Sequence, residues 1–144
     1  MLKFRIVTPE RVVFGDEVEQ VTMMTQSGEI TVLPHHIPLI TALRSGELKY
    51  KKSGEEKSIA VSGGFAEVRS DNTLVILADT AEYAHEIDVT RAEAAKAKAE
   101  KLMSEARTRG DIEIATVQAN LERALTRLKI GNKYRKISGN PSRG

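Results

Sequence analysis

The hydrophobic pattern changes once along this chain, between Ala81 and Asp88, and no single layer of secondary structure accommodates both sides of the change. Before it, short runs alternate apolar and polar residues. Leu2, Phe4 and Ile6 alternate with Lys3 and Arg5, and similar pieces follow at Arg11–Phe14, Val18–Thr25, Glu29–Leu33, Glu47–Lys51, Lys57–Val61, Phe65–Arg69 and Thr73–Ala78. The pairs Gly15-Asp16, Ser27-Gly28, Ser45-Gly46, Ser53-Gly54, Gly63-Gly64 and Asp71-Asn72 read as breaks between them. Period-two runs with turn residues every 8–12 positions predict an antiparallel sandwich or barrel, not a parallel sheet with crossover helices. Leu74-Val75-Ile76-Leu77 is apolar on both faces and is expected centrally or against a partner.

After the change the chain reads DVTRAEAAKAKAEKLMSEAR from Asp88 to Arg107, rich in strong helix formers and free of glycine and proline. Asp88 is a candidate N-cap, with Thr90 and Glu93 offering a capping box two residues later. Gly110 suits the left-handed residue after a helix, and Asp111 can cap a second helix that Gly131-Asn132 is expected to stop. The spacing predicts helices over about 88–108 and 112–130, joined as an antiparallel hairpin. Ile114, Val117, Leu121, Ala124, Leu125 and Leu128 form one stripe, and Ala92, Ala95, Ala99, Leu102, Met103 and Ala106 the facing one. A seam so rich in alanine buries little apolar area, so at about 25 cal/mol per Å² the hairpin is marginal alone and a candidate moving part. The expected organisation is an all-β sandwich over 1–84, a two-helix regulatory hairpin over 85–131 and a flexible basic tail over 132–144.

Charge divides at the same place. Residues 1–86 hold 9 Lys/Arg against 13 Asp/Glu, and residues 87–144 hold 13 against 7, so −4 and +6 sum to the overall +2. The basic half is suited to an acidic surface. Nucleic acid is the weakest of its possible partners, because the chain has no Trp, is 4% aromatic and places no stacking residues among the helical charges. There is no cysteine, which excludes disulfides and thiolate metal sites. No run approaches the roughly 18 apolar residues of a membrane-spanning helix.

Catalytic motifs are missing. Neither GxxxxGK[ST] nor GxGxxG occurs, and no HExxH spacing exists. His35 and His36 are adjacent, so in an extended segment they point to opposite faces and do not chelate one metal. Ser62-Gly63-Gly64 reads as a tight turn with no base marked for the serine. The helical charges carry more information. Arg123 and Arg127 stack at i, i+4, and Lys98 follows Arg91 by two turns. Such side chains usually form a solvated face; the sharper reading is anion capture, since a guanidinium offers a fork of donors matched to carboxylate or phosphate.

Taken together, the segments resemble the epsilon subunit of the rotary, F-type ATP synthase of bacteria. Ser27-Gly-Glu-Ile-Thr-Val-Leu-Pro-His-His-Ile-Pro-Leu39 is similar to that family's LP-G-H-x-PL region, with His35 standing where the family has Gly. Ser62-Gly-Gly-Phe-Ala-Glu-Val68 and Val75-Ile-Leu-Ala-Asp-Thr-Ala81 follow at the family's spacing, and the likeness spans about Phe4 to Ile130.

The resemblance implies a sandwich of about ten strands on the central stalk, touching the gamma subunit and the c subunits of the rotor ring, with Glu29 and His36 in loops that face the ring. It implies a hairpin that lies folded, or extends along gamma toward acidic segments of the catalytic α/β subunits and blocks ATP hydrolysis. It implies a non-catalytic subunit peripheral to the cytoplasmic face of the bacterial plasma membrane, needing no cofactor or metal. Some bacterial members bind ATP through an I/L-D-x-x-R-A motif, which Ile87-Asp88-Val89-Thr90-Arg91-Ala92 matches. Glu82, Arg123 and Arg127 fall on the family's other ligand positions, and Lys98 stands where tight binders have Arg. Two rivals remain: a stand-alone nucleotide-binding sensor or adaptor without a stalk role, and a small hydrolase using Asp88 or Glu82 as base, which no motif supports.

Overall fold

A computed structural model describes residues 1–109 and 113–137. It divides into two compact units, Met1–Tyr83 and a second that begins at Ala84. The first holds eight strands: β1 Leu2–Val7, β2 Val12–Val18, β3 Gln20–Thr25, β4 Gly28–Val32, β5 Leu39–Ala42, β6 Gly46–Lys52, β7 Glu55–Arg69 and β8 Thr73–Tyr83. Their hydrogen-bonded order is β2-β1-β8-β7-β6-β3-β4, with β5 paired to β7 off that path. All pairings are antiparallel except β1 with β8, which is parallel.

Two strands carry the sheet from one layer of the sandwich to the other. The first part of β7, Glu55–Val61, pairs with β6, whereas Phe65–Val68 pairs with β5. At the join, Gly63 and Gly64 have φ of 68° and 110°, and the buried residues of β7 change from Ile59 and Val61 to Ala66 and Val68. Its partner β8 changes likewise, from Leu74, Ile76 and Ala78 to Ala81. A side chain on Gly64 would overlap the Leu77 carbonyl oxygen, so the corner needs a residue without Cβ. The count is therefore eight strands and not ten. Gly63-Gly64 bends one long strand where the sequence suggested a break, and Gly15-Asp16 lies inside β2, opposite Arg5 and Phe4. Conversely, the expected Val18–Thr25 strand is interrupted at Glu19, and the short β5 had no clear signal.

Alternate residues of the strands meet in one core, including Leu2, Phe4, Ile6, Val18, Val21, Met23, Leu48, Ile59, Leu74 and Ile76. Phe4, Phe14 and Tyr50 form an aromatic cluster with ring centroids 5.4, 5.9 and 4.7 Å apart. At its rim Lys52 pairs with Asp16, a hydrogen bond that holds the Asp16 carboxyl below the usual carboxylate range.

The second unit opens with a 3₁₀ turn, Ala84–Glu86, followed by α1 Val89–Arg109 and α2 Ile114–Ile137, which form a hairpin. Asp88 caps α1: its Oδ1 accepts the Arg91 N–H at 3.0 Å while its carbonyl accepts the Ala92 N–H. The second helix does not stop at Gly131-Asn132 but continues to Ile137, so the start of the expected tail is helical. The expected cap residues Gly110 and Asp111, and residues 138–144, lie outside the described residues. Among the described residues no helix is long and apolar enough to cross a membrane.

One polar side chain ties three segments of the β unit. The Asn72 Oδ1 accepts the His35 N–H at 2.7 Å, its Nδ2 donates to the Met1 carbonyl at 2.6 Å, and its carbonyl accepts the Lys3 N–H at 3.1 Å. Both His35 and Asn72 have φ of 64°, so His35 adopts the left-handed turn that a glycine would favour. Replacing Asn72 by Ala removes two hydrogen bonds and penalises the left-handed backbone. We expect a loss of about 2–3 kcal/mol in urea unfolding of the β unit, with Asn72→Gly, which keeps the backbone freedom, less affected.

Candidate functional site

The helical hairpin is built on a seam of small residues. On α1 the buried positions are Ala92, Ala99 and Ala106; on α2 they are Val117, Ala124 and Gly131, together with Ile130. Each set repeats every seven residues, the interval that keeps one stripe facing a partner helix. In an antiparallel pair the two sets oppose Ala92 to Gly131, Ala99 to Ala124 and Ala106 to Val117. The expected stripes are buried at Ala92, Ala99, Ala106, Val117 and Ala124 and leave the seam at their other members. Ala95 is exposed, Ile114 and Leu125 are 46% and 44% exposed, and Leu121 and Leu128 are half-buried. Small side chains permit the closer helix approach, so the alanines occupy the seam and the leucines are left beside it.

The sidedness of the hairpin follows from this seam. At about 100° per residue, Arg91, Lys98 and Arg123 are each turned about 100° back from the buried alanine that follows them. Arg127, three residues past Ala124, is turned about 60° in the same sense. An antiparallel pair has a two-fold axis perpendicular to its helices, which carries equal rotations on both helices to the same flank. The structure thus gathers Arg91, Lys98, Arg123 and Arg127 on one flank. The first three are exposed and Arg127 is half-buried. The opposite rotation carries Ile114, Leu121, Leu125 and Leu128 of α2 to the other flank, where α1 contributes Met103 together with Glu93, Lys96 and Glu100, so that flank is apolar along α2 and charged along α1. The sequence spacing did not show this convergence, because it requires the pairing of the helices.

The remaining nucleotide-site candidates have local roles. Asp88 is occupied as the α1 cap. Ile87, just before it, lies against the buried Gly131, whose added Cβ would approach the Ile87 and Val89 Cγ2 atoms to 3.0 Å each. Glu82 is half-buried on β8, in register with Ala60, and belongs to the β unit.

Glu29 and His36 lie in the β unit. Glu29 is exposed on β4, opposite Met24. His36 is half-buried in the loop before β5, with its Nδ1 2.7 Å from the Ile37 carbonyl oxygen. Large apolar side chains stand exposed around this loop: Leu33 at 53%, Ile37 at 75% and, through Asn72, Met1 at 54%. A second apolar surface runs across the strands. Val12, Val7, Leu77, Phe65 and Ala42 are successive register partners, with Phe65 58% and Leu77 56% exposed and Ile40 nearby on β5. The sequence places the run ending at Leu77 centrally or against a partner, and the resemblance places Glu29 and His36 in partner-facing loops; the exposed Leu33, Ile37 and Phe65 are not singled out, because the alternation does not say which face is covered. Among the described residues no three His, Asp or Glu side chains are grouped to hold a metal ion.

Comparison with known proteins matches both units. Residues 1–84 match the family model described as ATP synthase, Delta/Epsilon chain, beta-sandwich domain, and residues 85–131 match its long alpha-helix domain. The chain is 51% identical over 135 residues to the ATP synthase epsilon chain of Dehalococcoides mccartyi, covering 94% of this chain and 95% of that one. It is 45% identical over 132 residues to that of Syntrophobacter fumaroxidans, covering 92% and 96%. In fold it is similar to a chain of the Euglena gracilis mitochondrial ATP synthase OSCP/F1/c-ring structure, with a TM-score of 0.63, 22% identity and coverage of 95% and 81%. It is also similar to a chain of the Tetrahymena thermophila mitochondrial ATP synthase central stalk/c-ring, with a TM-score of 0.58, 17% identity and coverage of 92% and 95%.

The cap can be separated from any ligand role of Asp88. Asp88→Ala should cost about 1 kcal/mol and speed amide exchange at Arg91 and Ala92, whereas Asp88→Asn retains an acceptor and should hold exchange near the wild-type rate. NMR-detected exchange on the ligand-free chain checks both.

Proposed function

Because the chain belongs to the ATP synthase delta/epsilon chain family, we propose that it is the non-catalytic central-stalk subunit that links the catalytic head to the rotor ring and restrains ATP hydrolysis through its hairpin. The observation that carries this reading is the two-sided hairpin, with Arg91, Lys98, Arg123 and Arg127 on one flank and the leucines of α2 on the other. Such an element can lie along a partner helix through its leucines while presenting arginines to acidic segments of the catalytic α/β subunits. The β unit supports the stalk role with its two exposed apolar surfaces. The row through Phe65 and Leu77 suits the gamma subunit, and the loop end carrying Glu29 and His36 suits the c subunits of the ring. On this reading the chain sits peripherally, at the cytoplasmic face of the bacterial plasma membrane.

ATP is the regulatory ligand in this proposal. Arg91, Lys98, Arg123 and Arg127 share one flank and supply donors to phosphate oxygens, with Ile87 and Asp88 at the start of α1; Glu82 matches a further ligand position of the family. The same arginines cannot serve a nucleotide and an acidic protein segment together. Bound ATP therefore holds the hairpin folded and relieves the inhibition by mass action.

Removing residues 88–144 should leave assembly with gamma intact and raise ATP hydrolysis by the assembled complex. Replacing Arg123 and Arg127 by Glu should reproduce part of that rise, more visibly at low salt. Loss of assembly in the truncated chain would make the hairpin the docking element, and failure of the full chain to co-purify with gamma would favour a stand-alone nucleotide sensor.

Calorimetry on the isolated chain tests the ligand. ATP should bind without turnover, Arg91→Ala and Arg123→Ala should each weaken it by roughly tenfold or more, and Lys98→Arg should tighten it. Unchanged affinity in both alanine variants would remove ATP from this flank.

A further inference from the structure

Gly131 occupies an unusual position. It lies inside α2, six residues before its end, where glycine disfavours the helix relative to almost any other residue. It is also buried, and it is the α2 member of the seam layer that contains Ala92. A methyl group there would press on Ile87 Cγ2 and Val89 Cγ2 at 3.0 Å, tighter than ordinary van der Waals contact. Ile87 precedes the Asp88 cap, and Ala92, four residues past that cap, is fully buried, which is the arrangement of a hydrophobic staple at a helix start. Ile130, 1% exposed, buries beside Gly131, and Ala84 in the 3₁₀ turn is 8% exposed. The stretch of α2 at Ile130 and Gly131 thus packs on the segment that begins α1.

We propose that Gly131 is the latch of the hairpin: by letting α2 close onto Ile87 and Val89 it makes the folding-back of α2 and the ordering of the α1 start, Asp88 and Arg91 included, a single event. The glycine serves this in two ways. Its missing side chain allows the close approach, and its low helix propensity weakens α2 at the same place, so the closed state is held by the contact rather than by the helix itself. Releasing the contact frees the staple and exposes the Asp88 cap to fraying. The consequence for ATP rests on the nucleotide reading above; the latch itself does not.

The test uses the full chain and amide exchange, with β7 and β8 amides as internal controls. Gly131→Leu should speed exchange at Arg91 and Ala92 at least tenfold and leave the β7 and β8 amides unchanged. Helix propensity alone would make Gly131→Ala protect α2 about fivefold better than wild type, and the latch predicts that the α1 start gains none of this protection. Adding Ile87→Ala to Gly131→Leu makes room for the new side chain and should recover at least threefold of the lost protection, even where the single variant leaves the helical unit unfolded. Exchange at Arg91 and Ala92 within twofold of wild type in Gly131→Leu, or no recovery in the double variant, would overturn the proposal. In a second arm, Gly131→Leu should weaken ATP at least tenfold by calorimetry. If the wild type takes up no ATP, the nucleotide reading fails while exchange still decides the latch.

Discussion

Main-chain crowding at one corner organises the β unit. Where β7 and β8 cross between the two layers, Gly64 comes so close to the Leu77 carbonyl that no Cβ fits, and the pair changes its buried face there. From that corner follow the pairings on either side: β6 with the first part of β7, β5 with the second, and β1 beside β8. The parallel β1–β8 pair in turn brings Val7 alongside Leu77, completing the exposed apolar row. An exposed apolar face is thus a consequence of how a core corner is turned, since the residues just past Gly64 have one face in the core and the other outside it.

The helical unit obeys the opposite economy. Its seam of alanines brings two helices close while burying little area, so its closed state is only a modest free-energy minimum. A small minimum is what a ligand or partner can shift, because a differential affinity of a few kcal/mol suffices to invert a two-state population. Burying the leucines in the seam would have stabilised the hairpin and removed the apolar stripe that α2 leaves beside it.

The large features were legible because they rest on local physics. Period-two alternation announced the strands, a run of helix formers without glycine or proline announced α1, and Asp88 was recognisable as a cap because its carboxylate can reach a first-turn N–H. The family was legible from ordered motifs, and the ligand candidates followed from matching them. Glycine was the ambiguous letter. Gly63-Gly64 and Gly131 read as stops, since a residue free to take positive φ at a turn looks identical to one needed for lack of a side chain.

By itself, then, the amino-acid order determined which residues share a strand face or a helix stripe, where the β pattern ends and which side chains carry charge. Only the tertiary structure decided which members of each stripe are buried. The stripes held both the buried Ala92, Ala99 and Ala124 and the exposed Ile114 and Leu125, and the choice among them is set by how closely the second helix can approach. That approach also gathers Arg91, Lys98, Arg123 and Arg127 on one flank, and a one-dimensional pattern cannot contain it, because it is a relation between two helices and not a property of either.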